Sequence, residues 1–249
     1  MKLRHVLAAL LLLITNATAF AQTTLIHAGE LLAVPGERPL RMQTIVVRNG
    51  RIVEVVNGYA SAADYGDDAT VIDLRQSFVL PGLMDMHVHL QGEMGPDRDT
   101  DRVKMSSQLM QMRSIQYAMR TLEAGFTTVR DVGSSEQEMY ALRDAIEAGW
   151  IDGPRIVAAG GVGITGGHAD ISGVKPDLMD IWTDVNVCNG PYDCRRAARN
   201  VIKYGGDWIK ITSTGGVMTQ RATGTGQQME ADELRAVSYT HLRAHETRP

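Results

Sequence analysis

The sequence lacks an excess of charge of either sign, because 25 lysine and arginine residues stand against 29 aspartate and glutamate residues among 249. Nucleic-acid-binding domains are usually strongly basic, so this balance gives no reason to expect nucleic acid as a partner. Beyond residue 21 the chain also lacks any apolar run long enough to span a membrane. With 44% hydrophobic residues, it has the composition and length of a globular protein with a sizeable core.

The N-terminus has the features of a secretory signal. Two basic residues precede an apolar run over residues 6–14, which is too short for a stable membrane anchor. Ala19 and Ala21 supply small side chains at the two positions that a signal peptidase recognises. We expect residues 1–21 to be removed, so that the mature chain begins at Gln22 and the protein is secreted or periplasmic. A buried hydrophobic helix is the alternative.

Cysteine is scarce: the chain has two, too few for a cysteine-rich structural metal site. Cys188 and Cys194 flank a turn-rich segment, which could bring their side chains within bonding distance. Because an exported protein meets an oxidising compartment, we expect a disulfide between them.

Residues 22–80 are predicted to form a small β domain. Two segments rich in β-branched residues, 45–48 and 51–56, flank Asn49 and Gly50. This pair is preferred in the two-residue type I′ turn of a hairpin. Further strands are predicted at residues 71–74 and 78–80.

From residue 81 onward the pattern changes to alternating strands and helices. Apolar residues recur at helical spacing near residues 109–122, 139–149 and 193–204, and Ser135 with Glu138 forms a plausible capping box for the second helix. Strands are predicted at residues 127–132, 155–159 and 208–212. Repeated units of this kind indicate a parallel α/β sheet, open or closed into a barrel.

Each predicted strand is followed by residues that can perform chemistry or approach a ligand closely. They are His87 and His89, then Asp131, then the glycine-rich stretch 160–168, then residues 213–216. In a (β/α)8 barrel the active site forms at the carboxyl ends of the strands. The glycine runs alone are weak evidence, because none has the spacing of a phosphate-binding loop.

His87 and His89 end the apolar run of residues 79–89, VLPGLMDMHVH. Because side chains alternate across a strand, both imidazoles should project from one face, with Met86 and Val88 on the other. Apolar neighbours on both faces are typical of a strand buried in a parallel sheet, and desolvated histidines need partners. The pair is therefore a candidate half of a metal site; two histidines without a metal are the alternative.

Lys210 lies within an apolar strand, between Ile209 and Ile211. It should project from the face that it shares with Trp208 and Thr212. An unpaired cation inside a barrel costs several kcal/mol, so the amine must be neutralised, paired or modified. A lysine that leans along the strand edge toward solvent is the alternative.

Four motifs together resemble the amidohydrolase superfamily, and most closely its prolidase-like and imidazolonepropionase-like subgroup. They are residues 81–89 (PGLMDMHVH), 127–133 (TTVRDVG), 153–156 (GPRI), and 207–211 (DWIKI) followed by Gly215 and Gly216. The resemblance runs in order over residues 24–237. It implies an α/β fold with a partial (β/α)8 TIM-like barrel, about its first four strands, over residues 81–237. Beside it, residues 22–80 would form part of a small N-terminal β-sandwich domain.

The resemblance also implies a metal-dependent hydrolase of C–N bonds with two divalent metal ions, usually zinc. His87 and His89 would bind the more buried ion, and Lys210, carboxylated by CO2, would bridge both. A neutral amine in an apolar strand suits this role, because it can add CO2 to form an anionic carbamate with two oxygen ligands. Water held between two metals loses its proton near neutral pH, and the resulting hydroxide would attack the carbonyl of a small-molecule or dipeptide substrate, including Xaa-Pro dipeptides.

His168 and Asp131 need separate treatment. In resembling members a Gly-Gly-His in the loop after strand three faces the substrate, so His168 would bind the substrate or polarise its carbonyl; a surface-loop histidine is the alternative. Asp131 could be taken for a general base. The essential aspartate of the family comes from strand eight, however, so we expect Asp131 to be structural.

The resemblance fails at residues 238–249. The family needs two more histidine ligands, after strands five and six, and the strand-eight aspartate that carries the proton, and the chain contains no segment that matches them. Residues 238–249 look similar to translated adapter DNA, a foreign tail that should be excluded from fold reasoning, so His241 and His245 are not taken as ligands. We expect the chain as written to be truncated and inactive.

Two other functions remain open. A one-metal deaminase of the same superfamily uses the strand-one histidines without a bridging lysine, so Lys210 argues against it. A catalytically inactive binding protein would keep the barrel and use its pocket for recognition. A homo-oligomer of the full-length parent is compatible with each of these.

Overall fold

A computed structural model describes residues 23–171, 173–179, 181–182, 184–217 and 224–245. The expected signal segment, residues 1–21, lies outside the described residues. The chain divides into two compact units, one up to Pro81 and one from Gly82 onward. In the part of the chain that is described, no helix is both long and apolar enough to cross a membrane.

The first unit is built on a four-stranded sheet. Its strands are β1 (Thr23–Leu31), β2 (Leu40–Arg48), β3 (Arg51–Asn57) and β4 (Thr70–Val79), in the order β3-β2-β1-β4. β1 is antiparallel to β2 and parallel to β4. A small cluster of Ala28, Leu31 and Ile45 forms the core of this unit. Among the described residues this is one sheet, without the second layer of a sandwich.

The predicted hairpin between β2 and β3 is confirmed. Arg48 pairs with Arg51, which leaves Asn49 and Gly50 as a two-residue turn. Both have positive φ, 50° and 72°, as a type I′ turn requires. Asparagine and glycine tolerate this backbone region better than other residues.

The second unit alternates strands and helices. Its strands are β5 (Leu83–Val88), β6 (Phe126–Asp131), β7 (Arg155–Ile164), β8 (Val187–Cys188) and β9 (Trp208–Ile211). Its helices are α1 (Arg98–Lys104), α2 (Ser107–Glu123), α3 (Glu136–Glu147), α4 (Pro176–Met179), α5 (Gly190–Lys203) and α6 (Ala231–His245).

The predicted parallel sheet is confirmed. β5 pairs with β6, and β6 pairs with β7. The far part of β7 pairs with β9 over Ala159–Val162, and its end pairs with β8. Every pairing in this sheet is parallel, as expected where helices connect successive strands. This parallel sheet is consistent with part of a TIM-like barrel.

Two apolar clusters hold helices against the sheet. Val129 and Ile156 pack with Met139 and Leu142 of α3 in one cluster. In the other, Val162 packs with residues of α5 and α6, including Val201. These positions are almost fully buried, and burying a side chain of this size contributes about 1.5–3 kcal/mol.

Two sequence expectations differ from the structure. β5 is not buried on both faces: it lies at the edge of the sheet, and Met84 is 69% exposed. Ser135 occupies the N-cap of α3, but its side chain accepts no capping hydrogen bond. Its backbone N–H instead donates to Gln91 Oε1 at 2.7 Å, so a contact from a distant loop replaces the local capping box.

The segment around the cysteines lies at the start of α5. Cys188 and Cys194 are joined by a disulfide in the structure, and both are fully buried in the cluster beneath α5. Helix α6 continues without a break from Ala231 to His245, so the described part of the segment expected to be foreign is helical.

Candidate functional site

His87 sits in a bulge of β5. The pairing with β6 joins Asp85 to Val129 and resumes with Val88 opposite Asp131. Two residues of β5, Met86 and His87, therefore stand opposite one residue of β6. The His87 backbone N–H donates to Asp85 Oδ1 at 2.9 Å, which satisfies a donor that the bulge removes from the ladder.

His89 lies one residue beyond the end of β5. Its ring centroid is 5.5 Å from that of His87, and the two rings are inclined by 49°. The imidazole of His89 rests directly on Gly133, where an added Cβ would overlap with Cε1 and Nδ1 of the ring. Only glycine leaves room for the ring in this position. The residue type at position 133, after β6, therefore determines where the His89 side chain, after β5, can lie.

Asp131 joins the loops after β5 and β6. Its buried carboxylate accepts hydrogen bonds from Leu90 N at 2.6 Å, Ser134 N at 3.0 Å and Ser134 Oγ at 2.7 Å. Gly133 N adds a longer bond of 3.2 Å. These bonds occupy both oxygens, which gives Asp131 a structural role beside the histidines.

Lys210 and His87 line the same pocket. Lys210 pairs with Gly161 on β7, and the pocket, about 160 Å³ in volume, also includes Arg130 and Trp208. Lys210 is half-buried and makes no ion pair or hydrogen bond through its side chain to any other described residue. The structure thus brings together two of the three predicted ligands in one pocket, with His89 beside them.

The surroundings favour a neutral imidazole at His87. Partial burial lowers the pKa of His87, and the positive charges of Lys210 and His89 lower it further, while Asp85 acts in the opposite direction. A neutral imidazole is the form that binds a metal.

The three residues are a partial ligand set. Neighbouring imidazoles fit two positions of a divalent metal, and a lysine beside them offers a third after carboxylation. Within the described ranges, no group of three or more histidine, cysteine, aspartate or glutamate residues is close enough to hold a metal ion. The donor chemistry of His87, His89 and Lys210 therefore suits a metal that is completed by ligands from outside this group.

His168 lies in the exposed loop after β7 and does not line the pocket of Lys210. Its backbone N–H donates to Gln228 Oε1 at 2.9 Å. Its ring lies against Gly216, where an added Cβ would overlap with it. The loops after β7 and β9 are thus in direct contact around this side chain.

Sequence reasoning missed Glu136, which lies at the start of α3 and reaches the strand that pairs with Lys210. Its Oε1 accepts from Gly161 N at 2.9 Å and from Asn186 Nδ2 at 2.7 Å. Burial raises the pKa of Glu136 to about 7, and the negative charge of Asp184 adds to this effect. A glutamate in the first turn of a helix is common, so no sequence signal distinguished it.

Comparison with known proteins supports the interpretation of the fold and the motifs. The chain is 28% identical over 240 residues to the ochratoxinase of Aspergillus niger, an alignment that covers 90% of this chain and 49% of that enzyme. It is 29% identical over 115 residues to the enamidase of Eubacterium barkeri, covering 46% of this chain and 26% of that enzyme.

A solved structure gives a further comparison. A Xaa-Pro dipeptidase with bound methionine in the active site is 37% identical and superimposes with a TM-score of 0.80, covering 90% of this chain and 55% of that one. The chain spans about half the length of the curated ochratoxinase that it matches. The amidohydrolase family matches residues 78–245, which is the whole strand-and-helix unit with the end of β4. The chain belongs to the amidohydrolase family.

Proposed function

We propose that this chain supplies the first strands of the barrel of a metal-dependent amidohydrolase that hydrolyses C–N bonds. The observation that carries the proposal is the pocket shared by His87 and Lys210, with the His89 ring 5.5 Å from that of His87. His87 and Lys210 lie near the carboxyl ends of β5 and β9, and His89 directly follows β5. Barrel enzymes form their active sites at the carboxyl ends of their parallel strands.

Each residue has a distinct task in this proposal. His87 and His89 would hold one of two divalent ions, with zinc as the expected metal. Addition of the Lys210 amine to the carbon of CO2, with release of a proton to solvent, would give an anionic carbamate that could serve as a metal ligand. When bound, the metals would supply an activated water and a Lewis acid for the substrate carbonyl. The ligands and the general base that the family takes from strands five to eight have no counterpart among these residues.

The relatives support a choice of substrate class. The family description amidohydrolase and the names enamidase and Xaa-Pro dipeptidase point to a C–N bond, so we propose an amide or dipeptide substrate, with Xaa-Pro dipeptides as the first to assay. His168 is proposed to contact this substrate. We further propose export through residues 1–21, and a sandwich in which the first unit contributes one layer.

The chain alone should bind metal weakly and lack activity, because it offers only a partial ligand set and a preformed site is needed for affinity. Titration of the 249-residue chain with Co2+, followed by visible absorption, tests the proposal directly. We expect weak binding that is lost in His87→Ala and in His89→Ala but retained in His168→Ala, whose ring lies outside the pocket. Equal binding in all four proteins would refute the assignment of the ligands.

A one-metal deaminase remains the competing enzyme class. It predicts that Lys210→Ala binds as much metal as the wild type and that CO2 changes the metal binding of neither protein. The position of Lys210 in the same pocket as His87 favours the binuclear hydrolase over this alternative.

A further inference from the structure

Arg130 stands opposite the bulge that carries His87. It is the single residue of β6 between Val129 and Asp131, which pair with Asp85 and Val88 of β5. Met86 has no partner residue in that ladder, and its carbonyl accepts a hydrogen bond from Arg130 Nε at 2.9 Å. A side-chain donor thus replaces the backbone donor that a regular strand would supply.

The other part of the Arg130 guanidinium reaches β9. Its central carbon lies 5.3 Å from the centroid of the Trp208 ring, in a cation–π contact. Trp208 pairs with Ala159 and precedes Lys210 by two residues, so the two side chains share one face of β9. Arg130 therefore touches the residue before His87 on one side and the strand of Lys210 on the other.

The charge of Arg130 is not used in an ion pair within the described residues, and none of the residues that line the pocket is acidic. The property of the side chain that matters here is the planar shape of its guanidinium group. A planar guanidinium can donate in its own plane and stack on a ring with its face, whereas a lysine ammonium has no such plane. This combination explains why arginine, rather than any cation, stands here.

We propose that Arg130 is a positioning residue that sets the separation of His87 and Lys210. It holds the bulge through Met86 and the strand of Lys210 through Trp208, so that the histidine and the lysine face one pocket. The proposal rests on the proposed function only for its purpose, because the contacts themselves exist without a metal.

Hydrogen exchange of the intact 249-residue chain, followed residue by residue with NMR, tests this proposal. In Arg130→Met the exchange of the His87 and Lys210 amides should accelerate by roughly tenfold or more, while the core amides of Val129 and Ile156 keep their rates. Arg130→Lys keeps the charge and most of the length, and we expect it to behave like Arg130→Met. If Arg130→Met does not fold, Arg130→Lys provides the same readout.

A double variant shows whether Arg130 acts on Lys210 through Trp208 or whether the two residues act independently. If Arg130 acts through Trp208, adding Trp208→Leu to Arg130→Met should not accelerate Lys210 exchange further, whereas independent effects would multiply. Trp208→Phe retains an aromatic face and should stay near the wild-type rate. Arg155→Met is the matched control, because Arg155 lies on neighbouring β7 and its side chain makes no hydrogen bond or ion pair to other described residues.

Two results would overturn the proposal: unchanged exchange at His87 in Arg130→Met, or a uniform acceleration across all strands, which would indicate general destabilisation. Co2+ titration of the same variants keeps the two hypotheses apart. If wild-type protein shows no Co2+ binding that depends on His87, the proposed function fails, yet the exchange rates still decide the role of Arg130.

Discussion

The buried carboxylate of Asp131 on β6 accepts a hydrogen bond of 2.6 Å from the backbone N–H of Leu90, the residue directly after His89. This hydrogen bond connects the end of β6 to the loop that follows β5. The same carboxylate oxygen, Oδ2, also accepts from Ser134 Oγ at 2.7 Å. The position of His89 therefore depends on an acidic side chain whose two oxygens accept hydrogen bonds from the protein itself.

Asp131→Asn should destabilise the protein by about 2–3 kcal/mol, because the NH2 group that replaces one carboxylate oxygen cannot accept a hydrogen bond and a buried donor loses its partner. Chemical denaturation measures the free energy of unfolding. Asp144→Asn is the control, since its carboxylate is 63% exposed and pairs with Arg143 at the surface; its cost should stay below about 1 kcal/mol. Equal losses in the two variants would contradict the role given to Asp131.

Gly133→Ala should displace the His89 ring, because the added methyl group would occupy the space of Cε1 and Nδ1. We expect weaker Co2+ binding by the chain, by roughly tenfold, as for other changes next to a metal ligand. Gly92→Ala is a matched control in the neighbouring loop, since an added Cβ there meets no atom. Unchanged metal binding in Gly133→Ala would show that the ring is not held by this contact.

Most of the fold can be predicted from the sequence, because its signals are local. The Asn49-Gly50 turn follows from backbone preferences of two adjacent residues, and the alternation after residue 81 follows from apolar spacing. The residue types of His87 and Lys210, and the strands that carry them, indicate both as candidate metal ligands. Their presence in one pocket follows from the parallel order of these strands.

The features that escaped prediction are those made by distant residues. A strict two-residue period predicts a regular β5, whereas the structure has a bulge that Arg130 stabilises from 44 positions away. The expected capping box at Ser135 gives way to Gln91, again 44 positions distant. Glu136 becomes unusual only after folding buries it beside Gly161. Periodicity and capping rules describe neighbours along the chain, so they cannot anticipate such contacts.

Stability should depend on pH through Glu136. Burial raises the pKa of this carboxyl from 4.5 to about 7, so the folded state binds more protons than the unfolded state between these values. The free energy of unfolding should therefore fall as pH rises across this window, by about 2 kcal/mol after allowance for partial exposure. Denaturation at several pH values from 4 to 8 measures the effect.

Glu136→Gln should flatten this pH dependence, because glutamine keeps the oxygen that accepts from Gly161 and Asn186 but carries no titrating proton. Glu138→Gln, a glutamate two residues further along the same helix, is the control and should retain the wild-type slope. A wild-type slope in Glu136→Gln would assign the pH dependence to other groups.

Lys210 provides the last prediction, and it concerns the protein in a form that carries all its metal ligands. Bicarbonate present during reconstitution should raise the metal content of the wild type if, as proposed, carboxylation of the amine creates the bridging ligand. Lys210→Ala should lose the second metal and the activity toward an Xaa-Pro dipeptide. A short carboxylic acid should partly restore both, since its two oxygens can replace those of the carbamate. Metal analysis and hydrolysis rates measured on the same samples decide the matter: a wild type that holds one metal, ignores bicarbonate and stays active without Lys210 would replace the binuclear hydrolase by the one-metal deaminase.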